Sequence, residues 1–355
     1  MEPELTTPTL EKRFDYDIRT TEYYSYDYNE TTFEVLERHE GLVIAGIYSV
    51  VCYSLIISLS LPGNIYLLWV LLWRVGLKSV SNLLLLHLTI SDILFTLTLI
   101  PWAVYYIHGW VFGRYACKVL SGSILLGLYS YMLFLMAITI HRYTVVVHAA
   151  RASTYRDRGR LYTHLTCAAA WTISILCCLT EAVYSETIND PDGILCELCG
   201  QPDHLILLGY YIQIAVFFLF PFAIMSFCYV RMTATIQQTR LKQKQQAVWL
   251  MFSIVVGFFI CWAPYNIVVF IETLQMLGLP VLTSQELMHY AFYITHTLAY
   301  CHCCLNPLMH VFGADKFRHY LPQNSLFTYF SRAERGQKSS SCSAPRHSLS
   351  YLTNV

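Results

Sequence analysis

Residues 14–30 read Phe-Asp-Tyr-Asp-Ile-Arg-Thr-Thr-Glu-Tyr-Tyr-Ser-Tyr-Asp-Tyr-Asn-Glu, so Tyr16, Tyr23, Tyr24, Tyr26 and Tyr28 are interleaved with acids. Such a segment has too little apolar surface to fold alone and is expected to be disordered when free. A disordered acidic segment still attracts a basic protein and speeds encounter in a salt-dependent way. A second chemistry lies in Asn64, Asp92 and Asn306, polar residues set inside long apolar runs. A third is Arg142, preceded by His141. Imidazole cannot act as an anion, and a protonated His141 would repel Arg142. Cys301-His302-Cys303-Cys304 has metal-ligand residue types but falls in the middle of an apolar run. No nucleophile–base pair has a supporting context. No enzyme, catalytic residue, metal or cofactor is therefore expected, and no nucleic-acid partner.

The elements that must position these groups follow from composition. The chain is 55% apolar and only 13% charged, against about a quarter charged in a soluble domain. Lipid must therefore face part of the apolar surface. Seven apolar runs reach the length of about 20 residues that spans the hydrocarbon of a bilayer. They lie near Val43–Trp73, Val80–Ile107, Cys117–Val147, Leu161–Tyr184, Leu205–Ile236, Ala247–Leu274 and Leu287–Phe312. Each must be helical, because unpaired backbone groups in lipid are costly. The expected fold class is an all-α membrane protein, a seven-transmembrane helix bundle with a short cytoplasmic surface helix. The expected organisation is an acidic extracellular tail over 1–42, the bundle over 43–312 and a cytoplasmic tail over 313–355. In that tail Phe317, Tyr320 and Leu321 suit a short helix on membrane lipid. No cleavable leader is visible in residues 1–40, and no internal repeat of the transporter kind.

Charge gives the bundle a direction. Residues 1–40 hold eleven acids and four bases, and Ser185–His204 holds five acids and no base. The four segments on the other side sum to +13. Excess Lys and Arg stays cytoplasmic, so the N-terminus is expected outside a plasma membrane that the chain crosses several times. Asn29-Glu30-Thr31 is a glycosylation sequon on that outer side. Inside the spans, Asn64, Asp92 and Asn306 read either as an internal hydrogen-bond network or as parts of a switch, and the two are compatible. Pro101, Pro221, Pro264 and Pro307 read as static kinks or as hinges. Outside, Cys117 can bridge to the acidic loop, which offers Cys196 and Cys199.

Gly63-Asn64, Leu88-Thr89-Ile90-Ser91-Asp92, Trp171, Pro221 with Tyr229, Cys261-Trp262-Ala263-Pro264 and Asn306-Pro307 fall in order along the spans. Together they resemble the rhodopsin-like G-protein-coupled receptors. Trp262-Ala263-Pro264-Tyr265-Asn266, His302-Cys303-Cys304-Leu305-Asn306-Pro307, Gly109-Trp110-Val111-Phe112-Gly113 before Cys117, and Lys316-Phe317-Arg318 resemble the chemokine receptors within that class. His141-Arg142-Tyr143, the Gly-Trp-Val segment and Cys117-Lys118 are similar to the lymphotactin (XC chemokine) receptor branch.

The resemblance implies a function and a set of sites. It implies a receptor that binds a basic chemokine, with the XC class as the candidate, activates an inhibitory heterotrimeric G protein, recruits arrestin and promotes chemotaxis and calcium signalling. The alternative is an atypical receptor that scavenges chemokine without signalling; a transporter or channel is a third reading, disfavoured by the lack of a repeat. The acid-flanked tyrosines resemble sulfation sites. The family pattern favours Cys196 over Cys199 as the partner of Cys117, and the usual second bridge from the N-terminal tail has no cysteines here. Trp102, Tyr105, Tyr106, Tyr129, Glu181, Tyr265, Glu272 and His296 are the expected pocket. The family often has Glu where His296 stands, so Glu181 and Glu272 are its expected replacements. Asp92, His141, Arg142, Tyr143, Tyr229, Trp262, Asn306, Pro307 and His310 are the expected activation switch. Three positions depart from the pattern: His141 replaces Asp, His310 replaces Tyr, and Pro101 is one residue displaced. Tyr131 stands where small residues are usual, and is expected to crowd the sodium site that the family builds beside Asp92. The serines Ser339, Ser340, Ser341, Ser343, Ser348 and Ser350 suit phosphorylation, and Thr353-Asn354-Val355 suits strand addition to a PDZ domain.

Overall fold

A computed structural model of the chain describes residues 32–148, 156–190, 193–239, 242–280 and 285–313. The tail tyrosines, Asn29, and the expected surface helix at Phe317 to Leu321 lie outside the described residues. The first span is α1 (Thr32–Trp69), continued by a π-helical turn over Val70–Val75. Then follow α2 (Val80–His108), α3 (Gly113–Val147) and α4 (Arg156–Tyr184). The fifth span joins α5 (Asp203–Tyr211), a π-helical stretch over Ile212–Leu219 and α6 (Phe220–Thr239). The sixth is α7 (Lys242–Met276). The seventh joins α8 (Gln285–Tyr300), a 3-10 turn over Cys301–Cys304 and α9 (Leu305–Gly313).

Six of these helical stretches are individually long and apolar enough to cross a membrane, and the composite seventh completes the bundle. At 29 residues α2 reaches about 43 Å, more than the hydrocarbon of a bilayer. Large apolar side chains such as Leu55, Leu59, Leu176, Phe227 and Ile260 are exposed on the outside of the bundle. That pattern suits lipid rather than water as the surrounding solvent. The centre is filled by Phe95, Leu99, Tyr131, Phe134, Phe258 and Tyr300. The fold is thus the seven-helix transmembrane bundle that the apolar runs predict.

The irregular turns have chemical causes. Pro307 has no N–H to give the carbonyl of Cys303, four residues back, so that oxygen needs another donor. Asn64 Nδ2 supplies one at 3.0 Å and Ser60 Oγ another at 3.2 Å, both from the first span. The helix break is therefore sealed by a neighbour, as lipid requires. Pro221 likewise follows a widened turn. Pro101 and Pro264 lie inside α2 and α7, and Pro62 adds a proline inside α1.

One element lies outside the all-helical expectation. The acidic connector after α4 forms an antiparallel hairpin of β1 (Ser185–Asp190) and β2 (Gly193–Leu198), paired from Ser185 with Leu198 to Asp190 with Gly193. It roofs one end of the bundle. Gly109, at φ 71°, turns the chain after α2 so that the Trp110 N–H donates to Ile194 of β2 at 2.7 Å.

The candidate ligand site and the switch beneath it

The hairpin end is fixed by one covalent and several ionic ties. Cys117 is disulfide-bonded to Cys196, so Cys196 rather than Cys199 is the bridging residue, as the family pattern favours. Trp110 packs with this disulfide and is almost fully buried. Arg114 Nε and Nη2 donate to the two carboxylate oxygens of Glu186 at 2.6 and 2.7 Å. Lys118 Nζ lies 2.8 Å from Glu186 Oε1 and also donates to the carbonyls of Val183 and Ser185. Hydrogen bonds from Arg114 and then Lys118 hold the Glu186 carboxyl down at about 2, well below the usual carboxylate range. Both bases are thus engaged by the hairpin.

Below the hairpin the expected pocket residues form two groups. Trp102 and Tyr105 pack edge to face, with ring centroids 5.6 Å apart, and both lean on Trp110. Tyr106 packs against Tyr53 of the first span. The second group surrounds Glu181, in the last turn of α4. Tyr129, Tyr210, Tyr265 and Tyr300, from spans three, five, six and seven, all stand within electrostatic range of it. Among the described residues its carboxyl has no ion pair and no side-chain hydrogen bond. Glu272 differs, since the Tyr210 hydroxyl donates to its Oε1 at 3.1 Å. His296 lies among Tyr265, Phe292 and Tyr300, 4.3 Å from the last ring. Tyr129 stacks on Phe217 at 3.9 Å. Tyr210 and Tyr300 were not legible as site residues, because nothing in their local sequence marks which helix face meets Glu181.

Toward the centre, Asn306 Nδ2 donates to Asp92 Oδ2 at 2.6 Å. Ser60 and Thr96 share a hydrogen bond at 2.7 Å, and Thr96 also caps the Asp92 carbonyl. Trp262 lies over Phe258 and against Tyr265 and His302, so the tryptophan links the pocket to this polar centre. Gly63 lets Pro307 approach; a Cβ on Gly63 would stand 2.6 Å from the Pro307 Cβ. His310 is buried on the seventh span.

At the end opposite the hairpin, Arg142 stands within electrostatic range of His141 and Tyr229. Its Nε is buried with no acceptor among the described residues. Tyr143 is turned elsewhere, toward Phe227 and His148, so it does not join the Arg142–Tyr229 pair.

Comparison with known proteins matches this architecture. Residues 63–310 fit the 7 transmembrane receptor (rhodopsin family). Chemokine XC receptor 1 of Homo sapiens is 33% identical over 319 residues, covering 89% of this chain and 91% of that protein. The chain belongs to the chemokine receptors. C-C chemokine receptor type 4 of Homo sapiens is 36% identical over 275 residues, 76% of each chain. C-X-C chemokine receptor type 2 of Homo sapiens is 34% identical over 286 residues, 79% of this receptor and 78% of that one. The receptor is accordingly a multi-pass membrane protein of a receptor family rather than an enzyme family.

Proposed function

We propose that this receptor faces its hairpin end and its acidic tail outward, captures a basic chemokine and activates an inhibitory heterotrimeric G protein through the Arg142 end. The observation that carries this reading is the unpaired Glu181 within its ring of tyrosines. A carboxylate held among aromatic rings suits a cationic ligand group, which gains ionic and cation–π attraction together. Arg114 and Lys118 do not oppose it, because Glu186 already engages both. The acids interleaved with Tyr16 to Tyr28 add negative charge for long-range capture. Glu181 and Glu272 replace the span-seven acid that His296 lacks. The XC class is the first ligand class to test, given the first relative reported. Arrestin recruitment, chemotaxis and calcium release follow from the same reading.

The scavenging alternative is favoured by one feature. No acid faces Arg142 among the described residues, and His310 takes a second switch position, so the inward machinery departs from the family on both helices. A panel of labelled chemokines on expressing cells, read for binding, uptake and cyclic AMP, separates the two. Binding with a fall in stimulated cyclic AMP is the expected result. Uptake with no cyclic AMP change would establish the scavenger instead.

A further inference from the structure

The family implies a sodium ion beside Asp92, and the residues present here do not fit one. Hard cations are held by shells of about six oxygen donors. Around Asp92 the third span offers few. Gly127 has no side chain and admits none, since a Cβ there would meet the Phe95 Cβ at 2.8 Å. Ser130 is turned to Ser91, donating to its hydroxyl at 2.8 Å. The seventh span contributes the Cys303 thiol and the His302 imidazole, soft and borderline ligands that suit other metals.

The space itself is taken by Tyr131. Its side chain is fully buried, its ring stacks on Phe258 with centroids 5.4 Å apart, and His302 closes on it edge to face at 4.8 Å. Its hydroxyl stands within electrostatic range of both Asp92 and Asn306. Asp92 Oδ1 and the Tyr131 hydroxyl are both buried, and neither has a hydrogen-bond partner among the described residues. A phenol is a donor as well as an acceptor. We propose that Tyr131 replaces the sodium ion: its ring fills the volume, its hydroxyl lies within electrostatic range of the Asp92 carboxyl, and the receptor's conformational equilibrium is indifferent to sodium. An ion shifts an equilibrium only by binding one state better than the other. With the place filled in the state described here, that lever is absent.

The test uses sodium itself as the probe and needs no chemokine. The thermal unfolding midpoint of the purified full-length receptor is followed through a titration of sodium chloride, against choline chloride at matched ionic strength. The expected result is one midpoint in both salts. A rise specific to sodium that disappears in Asp92→Asn would overturn the proposal. Tyr131→Ser reopens the place and is expected to gain a sodium-specific rise of about 3 °C at a tenfold excess over the dissociation constant. A folded Tyr131→Ser receptor with no sodium response would also overturn it. Tyr131→Phe keeps the ring and is expected to stay indifferent; if Tyr131→Ser does not fold, the wild-type and Tyr131→Phe titrations still decide.

Discussion

Glu186 and Arg114 form a two-pronged ion pair, 2.6 and 2.7 Å long, that ties the first strand of the hairpin to the start of the third span. The pair sits at the surface, with side chains 29% and 63% exposed, so water and salt screen it. Its value is in placement: it holds the hairpin over the site and keeps two bases out of it. The carboxyl is lowered from 4.5 to about 2. For a lowered acid, the stabilisation is complete above the ordinary value and is lost only as pH falls through the lowered one. The hairpin is therefore expected to stay docked from neutral pH down to pH 5. Hydrogen exchange at the Trp110 amide, which bonds to Ile194, measures this. Glu186→Gln should speed that exchange at neutral pH, and exchange that quickens between pH 7 and 5 in the wild type would contradict the assignment.

Gly63 and Pro307 bring spans one and seven close together, with the proline ring against the glycine. A Cβ at Gly63 would meet the Pro307 ring at 2.6 and 3.0 Å. Neither partner can step aside, because a proline ring is not a flexible side chain. Gly63→Ala is expected to destabilise by about 1–3 kcal/mol, the usual range for overpacking a tight interior. Gly159→Ala is the control, since nothing lies within 4 Å of its added carbon. Thermal unfolding of the two purified variants gives the comparison. Equal midpoints would mean that the spans separate without cost.

Among the described residues Arg142 has no anionic side chain beside it, and His141 stands where the family has Asp. Restoring the acid should restore an ion pair within a partly buried site. His141→Asp is expected to lower ligand-free nucleotide exchange on an inhibitory G protein several-fold. Membranes from cells expressing matched amounts of each receptor are the assay. Unchanged basal exchange would show that another contact restrains the arginine.

Much of this was legible in the sequence because lipid imposes strict rules. Twenty apolar residues must be a helix, and the seven runs appear as helices close to their expected ends, except that the first helix begins at Thr32, well before Val43. Asp92 and Asn306 were readable as partners because both are too polar to face lipid, and they meet at 2.6 Å. The hairpin was not readable. Residues 185–198 are acidic and lack strict alternation, and their strand form depends on the Cys117–Cys196 bond and on Trp110, both distant in sequence. The sealing of the Cys303 carbonyl by Asn64 was hidden for the same reason, since 239 residues separate them. Tyr143, expected in the switch from the family resemblance, packs its ring against Phe227, since successive residues on a helix do not share a face.

The two pocket acids are not equivalent, and this gives the sharpest check on the ligand site. Glu272 already accepts a hydrogen bond from Tyr210, so part of its acceptor capacity is used. Among the described residues Glu181 has no such donor, and it lies within electrostatic range of four tyrosines from four spans. A half-buried carboxylate loses the most when a bound cation is its main partner. Hydrogen bonds to charged groups are worth about 1.5–3 kcal/mol, a factor of roughly ten to a hundred in affinity. Glu181→Gln keeps the shape and removes the charge, so it should weaken an activating chemokine by that factor. Glu272→Gln should cost less, because the glutamine can still accept from Tyr210. Blocking the ligand's terminal amine by acetylation should weaken binding to the wild type and add little to Glu181→Gln. Competition binding with both ligand forms on both variants measures the coupling. If acetylation costs the same in the wild type and in Glu181→Gln, the cation is recognised elsewhere.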